Sequence, residues 1–290
     1  MNDLAQLLAT GVTLGAIYAM VGVGFVLINN VTGIINFAQG EYLMVGALTA
    51  TTLLAAGIPL AVAVAGATLA AAALGGLVER GTIHVARSAS IETLILITIG
   101  TSITLSGLAL LVWGVTPRRY GPFTAGPPID VFGASISRQS LWVLAFAAVV
   151  AVGLWWFFER TVVGKAMRAC AMNPEAARLQ AISPARMSLL AFVLSTGIAG
   201  AAGAVLVPIT GASYAMGLPL ALKGFTAAVI GGLVSPLGAI AGGLLLGIVE
   251  SLASGYIASG LKDGIAFAVL FAVLVLRPQG LLGRRLASRV

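Results

Sequence analysis

Apolar runs follow one another along nearly the whole chain, and this constrains the fold more than any other feature. They cover residues 7–28, 42–57, 59–78, 91–114, 140–158, 188–210, 238–257 and 261–276, with a shorter run at 222–234. A helix needs about 20 apolar residues to cross roughly 30 Å of hydrocarbon, and most of these runs qualify. Only 9% of the 290 residues are charged and mean hydropathy is +1.07, whereas a soluble domain carries about 25% charged residues. Such a chain in water would expose more apolar surface than water tolerates. A soluble enzyme, a disordered tail and a nucleic-acid binder are thereby excluded. The expected fold is an all-α membrane protein, a polytopic bundle of about eight spans with one or two broken or re-entrant segments, in one transmembrane domain over 1–290.

Two stretches interrupt the pattern. The run 222–234 rises only about 20 Å as a helix and ends at Ser235-Pro236-Leu237-Gly238, where proline removes a backbone donor. It reads as a half-helix or re-entrant segment. The second interruption, 29–41, is polar and contains Asn36, Gln39, Gly40 and Glu41. Irregular backbone at membrane depth is stable only against protein or a water-filled cavity, so broken segments point to a pathway. Asn36, Gln39 and Glu41 either line that pathway or seal the helix break; Gly231, Gly232 and Ser235 are the candidates at the other break. The remaining ionisable residues near membrane depth are Lys223 and Glu250, with Glu92, Lys262 and Asp263 near span ends, where they snorkel or cap.

Basic residues set the orientation. Eleven of the sixteen lie in three places: Arg80 and Arg87; Arg160, Lys165, Arg168, Arg178 and Arg186; and Arg277, Arg284, Arg285 and Arg289. The positive-inside rule assigns all three to the cytoplasm. The N-terminus, with Asp3 as its only charge and a long apolar run, reads as external and not as a signal peptide. A cytoplasmic tail requires 222–234 to count as a short crossing. The external connection 114–139 holds Pro117, Pro122, Pro127 and Pro128 and is expected to be compact. Glycines four apart, at 11 and 15, 238 and 242, and 243 and 247, suit close helix packing in a membrane.

The segment 160–187 is the one water-facing feature with a readable shape. Asn173 suits an N-cap, Pro174 the first helical position and Glu175 the positive helix end. A short helix over 174–181 follows, and Ser183-Pro184 starts the next. Ala176 and Ala177 would offer a close-fitting surface ringed by Arg168, Glu175 and Arg178. The segment either docks a partner or serves topology alone.

Catalytic signatures are absent. Gly164-Lys165 is followed by alanine and preceded at the fifth position by Glu159, so no phosphate-binding loop forms. No zinc-protease or serine-hydrolase motif occurs. The lone His84 reads as a loop residue, and the lone Cys170 excludes an intramolecular disulfide and a cysteine-based zinc cluster. No metal or cofactor is expected. The spans carry no repeated acid or histidine relay, which counts against a stand-alone proton-coupled carrier, the rival from another class together with a channel.

Thr13–Gly24, then Thr32–Glu41 with its Asn36-Phe37-Ala38-Gln39-Gly40-Glu41 string, resemble the opening of LivH-type branched-chain amino acid ABC transporter permeases. Thr98–Ser102, Gly164–Ile182, Ala228–Ala239 and Arg277–Gly283 resemble further segments of that family, in the same order along nearly the whole chain. One departure is visible: such loops usually carry glycine where this chain has Ala181. The resemblance implies an ABC importer permease fold in the bacterial inner membrane. It implies alternating access, with branched-chain amino acids as cargo, or urea, short amides or other small solutes in related permeases. It further implies a second homologous permease, two cytoplasmic ATPases and an extracytoplasmic solute-binding protein as partners, within membrane lipid. Lys165, Arg168, Asn173, Glu175, Ala176, Ala177, Arg178 and Ala181 would then couple to the ATPase.

Overall fold

The computed structural model describes residues 2–257, 260, 262–277 and 279–282. Pro278, Gly283 and the tail arginines Arg284, Arg285 and Arg289 lie outside the described residues, as do the side chains of Lys262 and Asp263. The chain is an all-α polytopic bundle. Its helices are α1 (Asn2–Thr32), α2 (Gln39–Ala55), α3 (Leu60–Val78), α4 (Ile91–Trp113), α5 (Arg138–Arg160), α6 (Val162–Met172), α7 (Pro174–Leu179), α8 (Pro184–Thr210), α9 (Gly217–Gly231), α10 (Pro236–Tyr256) and α11 (Lys262–Leu276). A π-helical turn, Glu79–Ile83, extends α3.

Among the described residues, six helices are long and apolar enough to cross a membrane: α1, α3 with its π turn, α4, α5, α8 and α10. Helices α2, α9 and α11 are shorter, at 17, 15 and 15 residues. Helix α9 starts five residues before the apolar run predicts, because Pro219 falls in its first turn, where the missing N–H has no helical partner to lose. It stops at Gly231 because Gly232 takes φ +87°, a conformation that ends helices.

Helices α1 and α8 are buried along most of their length, while few residues of α3, α4 and α5 are fully buried. The reason lies in the small residues. A Cβ built on Gly11 would lie 2.7 Å from the Ile248 Cα, and one on Gly15 2.7 Å from the Leu244 Cα, so α1 and α10 touch backbone to backbone. Gly46 and Gly203 bring α2 and α8 together in the same way, Gly203 pressing on the Leu43–Ala47 backbone. Tyr42, Phe25, Met20 and Leu206 belong to the main buried cluster, while Phe192 packs in a second one with Ile28, Ile34, Ile83 and Leu94.

The connection between α4 and α5 carries a hairpin that the turn residues alone did not indicate. Strands β1 (Ile129–Val131) and β2 (Ala134–Ile136) pair antiparallel, with Ile129 opposite Ile136. The connection is tied down by Arg118 pairing with Ala212 and by the Tyr120 hydroxyl on the Ala204 carbonyl.

Candidate functional site

The water-facing elbow of α6 and α7 is built by local caps. The Thr161 hydroxyl accepts from the Gly164 N–H at 2.9 Å and starts α6. The Asn173 side chain accepts from the Glu175 and Ala176 N–H groups, both at 3.0 Å, and Pro174 takes the first turn of α7. At the other end, the Ile182 N–H reaches the Ala177 carbonyl at 3.1 Å and the Ala181 N–H the Arg178 carbonyl at 3.0 Å. These two bonds make a Schellman ending, whose C′ residue is normally glycine because its φ is positive. Here that residue is Ala181, at φ +59°. Replacing Ala181 with glycine is expected to stabilise the elbow by about 0.5–1 kcal/mol, relief of left-handed strain being partly offset by glycine's larger unfolded entropy. Slower amide exchange over 174–182 would register it.

Several predicted coupling residues face outward: Lys165, Asn173, Glu175, Ala176, Arg178 and Ala181 are exposed. Two are used internally. Ala177 is buried and packs the helix down. Arg168 reaches back to α5, with Nη1 2.5 Å from Glu159 Oε1 and Nη2 2.5 Å from the Phe158 carbonyl. It therefore fixes the α5–α6 joint, where Gly164 presses against the Phe157 and Phe158 backbone. Two large apolar side chains that sequence reasoning missed stand out instead, Met172 at 88% and Leu179 at 87% exposure. The available signal was the helix period: α6 buries Gly164, Met167 and Cys170, which leaves Met172 on the opposite face. Burial pushes the Cys170 thiol up, away from the reactive thiolate. Beside the elbow lies a cleft of about 770 Å³, lined by Arg87, Ser88, Arg178, Ser183 and Pro184 among others. Neither arginine has an acidic partner within 4 Å among the described residues.

At membrane depth the break between α1 and α2 gathers buried polar groups. The Asn36 side-chain oxygen accepts from the Ala38 N–H at 3.2 Å, and the Phe37 N–H donates to the Thr98 hydroxyl on α4 at 3.2 Å. Gln39 donates to the Ser195 carbonyl at 3.4 Å, and the Ser195 hydroxyl lies 2.9 Å from the Gly24 carbonyl and 3.0 Å from Gln39 Oε1. The Ser102 hydroxyl donates to Glu41 Oε1 at 3.0 Å. Asn36, Gln39 and Glu41 are thus all buried but engage separate partners, Asn36 its own turn, Gln39 Ser195 on α8 and Glu41 Ser102 on α4; Thr98, Ser102 and Ser195 were not among the predicted site residues. Glu41 also meets the start of α9: a Cβ on Gly217 would fall against its carboxylate.

Gly231, Gly232 and Ser235 have a different setting. The Ser235 hydroxyl accepts from the Gly238 N–H at 3.3 Å and caps α10, while Gly231 packs against the Gly238 backbone. Asn29 and Asn30 reach the carbonyls of Leu233 and Val234 at 3.4 and 3.1 Å. This set makes no hydrogen bond to Asn36, Gln39 or Glu41. Between the two breaks, Lys223 on α9 lies 2.9 Å from Glu250 on α10 and 5.7 Å from the centre of the Tyr18 ring. Among the described residues, no three His, Cys, Asp or Glu side chains are grouped to hold a metal.

A family model described as "Branched-chain amino acid transport system / permease component" matches residues 7–274. The high-affinity branched-chain amino acid transport system permease protein LivH of Escherichia coli is 34% identical over 98% of this chain and 97% of its own length. BraD of Pseudomonas aeruginosa, described in the same words, is 33% identical over 98% and 97%. The solved structure of PsaBC from Streptococcus pneumoniae in complex with Fab is similar at a TM-score of 0.49 and 16% identity, covering 94% of this chain and 91% of that one.

Proposed function

This chain belongs to the family of branched-chain amino acid transport permease components, and from that premise we propose that it is the membrane-spanning subunit of an ATP-driven importer of branched-chain amino acids. In the bacterial cytoplasmic membrane it pairs with a second permease. Two ATPases engage its cytoplasmic face, and an extracytoplasmic binding protein delivers the cargo. The single domain crosses the membrane eight times in full, with α2 and α11 completing the six long helices and α9 as a partial crossing. That count keeps the three basic segments on one side.

The observation that carries the reading is the elbow. Helix α7 is capped at both ends and α6 before it is held to α5 through Arg168, yet α6 ends on the exposed Met172 and α7 on the exposed Leu179, beside the exposed Glu175 and Arg178. Two apolar side chains on a rigid strut suit a partner's groove, and fully burying a Leu or Met side chain contributes about 1.5–3 kcal/mol. Motion of the ATPases would pass through the α5–α6 joint into the bundle. A ligand shifts such an equilibrium only through its different affinity for the two states; ATP held by the partners supplies that difference.

The test is a tagged chain expressed with its partner subunits. Wild type should bring down an ATPase and a second permease and support ATP-dependent leucine uptake in proteoliposomes. Leu179→Asp and Met172→Asp should each lower ATPase recovery and uptake about tenfold or more. Glu175→Lys should weaken both, and Arg168→Glu should uncouple uptake by loosening the joint. If ATPase recovery and uptake survive all four substitutions, the coupling assignment is wrong.

A further inference from the structure

Three carboxylates are buried among the described residues: Glu41, Glu79 and Glu250. Glu250 has Lys223 at 2.9 Å. Glu79 has Arg80 at 3.9 Å and the Ser188 hydroxyl at 2.9 Å. Glu41 is 2% exposed and has no cation within 4 Å among the described residues. Its Oε1 accepts from Ser102, and its Oε2 has no hydrogen-bond partner. A buried charge without a counter-charge is among the costliest features a membrane helix can carry.

The second observation concerns what Glu41 faces. Gly217 opens α9, and a Cβ there would fall on the Glu41 carboxylate. No side chain caps this helix start; the preceding residue is Met216. A 15-residue helix thus begins with the N–H groups of Gly217 and Leu218 uncapped by any side chain, Pro219 having none, and with the positive end of its dipole beside a carboxyl group that has no cation within 4 Å among the described residues. Beside the carboxylate the two helices meet through small residues, since a Cβ on Gly40 would meet the Gly217 carbonyl and the Ala221 methyl.

We infer that Glu41 and the start of α9 form a head-group subsite for a zwitterionic α-amino acid, closed in this conformation. When α2 and α9 separate, the cargo's ammonium group takes the free Oε2 of Glu41. Its carboxylate takes the N–H groups of Gly217 and Leu218, the two that α9 offers before Pro219. Ser102 holds the Glu41 carboxylate in place through Oε1. The apolar side chain of the cargo is left outside these contacts, so the subsite reads the amino-acid head and not the aliphatic tail. This inference rests on the importer reading above.

The complete transporter with its binding protein is reconstituted and given ATP. Dicyclohexylcarbodiimide, an apolar carboxyl reagent, is the probe, and modification at Glu41 is read by peptide mass spectrometry. During turnover Glu41 should be modified, and saturating L-leucine should suppress this about tenfold. 4-Methylpentanoate, which lacks the ammonium group, and sodium ions should not. Glu41→Gln should lose leucine uptake about 100-fold, and Glu41→Asp should retain part of it. ATPase recovery should stay at the wild-type level in both. If Glu41 is never modified during turnover, or L-leucine does not protect it, or sodium protects it equally, the subsite is refuted. Should Glu41→Gln fail to assemble, the labelling of wild type still decides. Failure of wild type to take up leucine would overturn the importer reading; leucine uptake by wild type with full uptake by Glu41→Gln would overturn the subsite alone.

Discussion

Replacing Gly247 with leucine is expected to remove folded protein from the membrane. A Cβ at that position would meet the Gly15 nitrogen and the Gly11 carbonyl. Both obstacles are backbone, so no side chain can rotate aside and α1 must move off α10. Overpacking a tight site typically costs about 1–3 kcal/mol, and here one substitution opens the seam between α1 and α10 along Gly11, Gly15, Gly243 and Gly247. The amount recovered in detergent should fall about tenfold or more. Gly15→Ala and Gly243→Ala should give smaller graded losses, because one methyl asks for a smaller separation. Gly100→Leu is the control: nothing lies within 4 Å of a Cβ there, so its yield should match wild type. Equal yields for Gly100→Leu and Gly247→Leu would mean that the small residues do not hold the bundle.

Glu250→Gln is expected to be the most costly single change among the charged residues. Glu250 and Lys223 are 3% and 12% exposed at the side chain, and their charges sit 2.9 Å apart between α9 and α10. Removing one member of a buried pair typically costs about 3–5 kcal/mol, because the other charge stays buried without compensation. Thermal unfolding in detergent should show a clear drop. The exchange Lys223→Glu with Glu250→Lys should recover part of it. The apolar double replacement, Lys223→Met with Glu250→Leu, should be close to neutral in stability. Leucine uptake by that apolar variant then shows whether the pair only holds α9 in place or also matters to transport.

Much of the elbow was legible because caps are local. Asn173, Pro174 and Glu175 are consecutive, and their hydrogen bonds close within three residues. The unusual Ala181 was visible too, and the structure supplies its reason in the positive φ of a Schellman ending. The outward direction of that surface was not legible. Ala177 was expected to face a partner and instead faces the protein, while Leu179, two residues on, is exposed. On so short a helix the buried side is chosen by what lies beneath it, here α6 and α8. Arg168 shows the same limit, since its partners on α5 are fixed by where α6 folds back.

The deeper site divides along the same line. Both breaks were visible as interruptions in apolar runs, since a run that stops short cannot hide its backbone in lipid. The meeting of Glu41 with Gly217 was not visible, because these residues are 176 positions apart and touch only when α2 and α9 pack. The Lys223–Glu250 pair likewise needs α9 and α10 side by side.

Hydropathy, caps and glycine spacing act over one or two helical turns, so the amino-acid order alone determined that this is a membrane bundle, where its helices break and how its elbow is capped. Which polar groups meet, which stay without a counter-charge and which apolar side chains remain outside depended on the arrangement of helices far apart in the chain. Desolvation and pairing are properties of what surrounds a residue, and only the packed bundle supplies those surroundings.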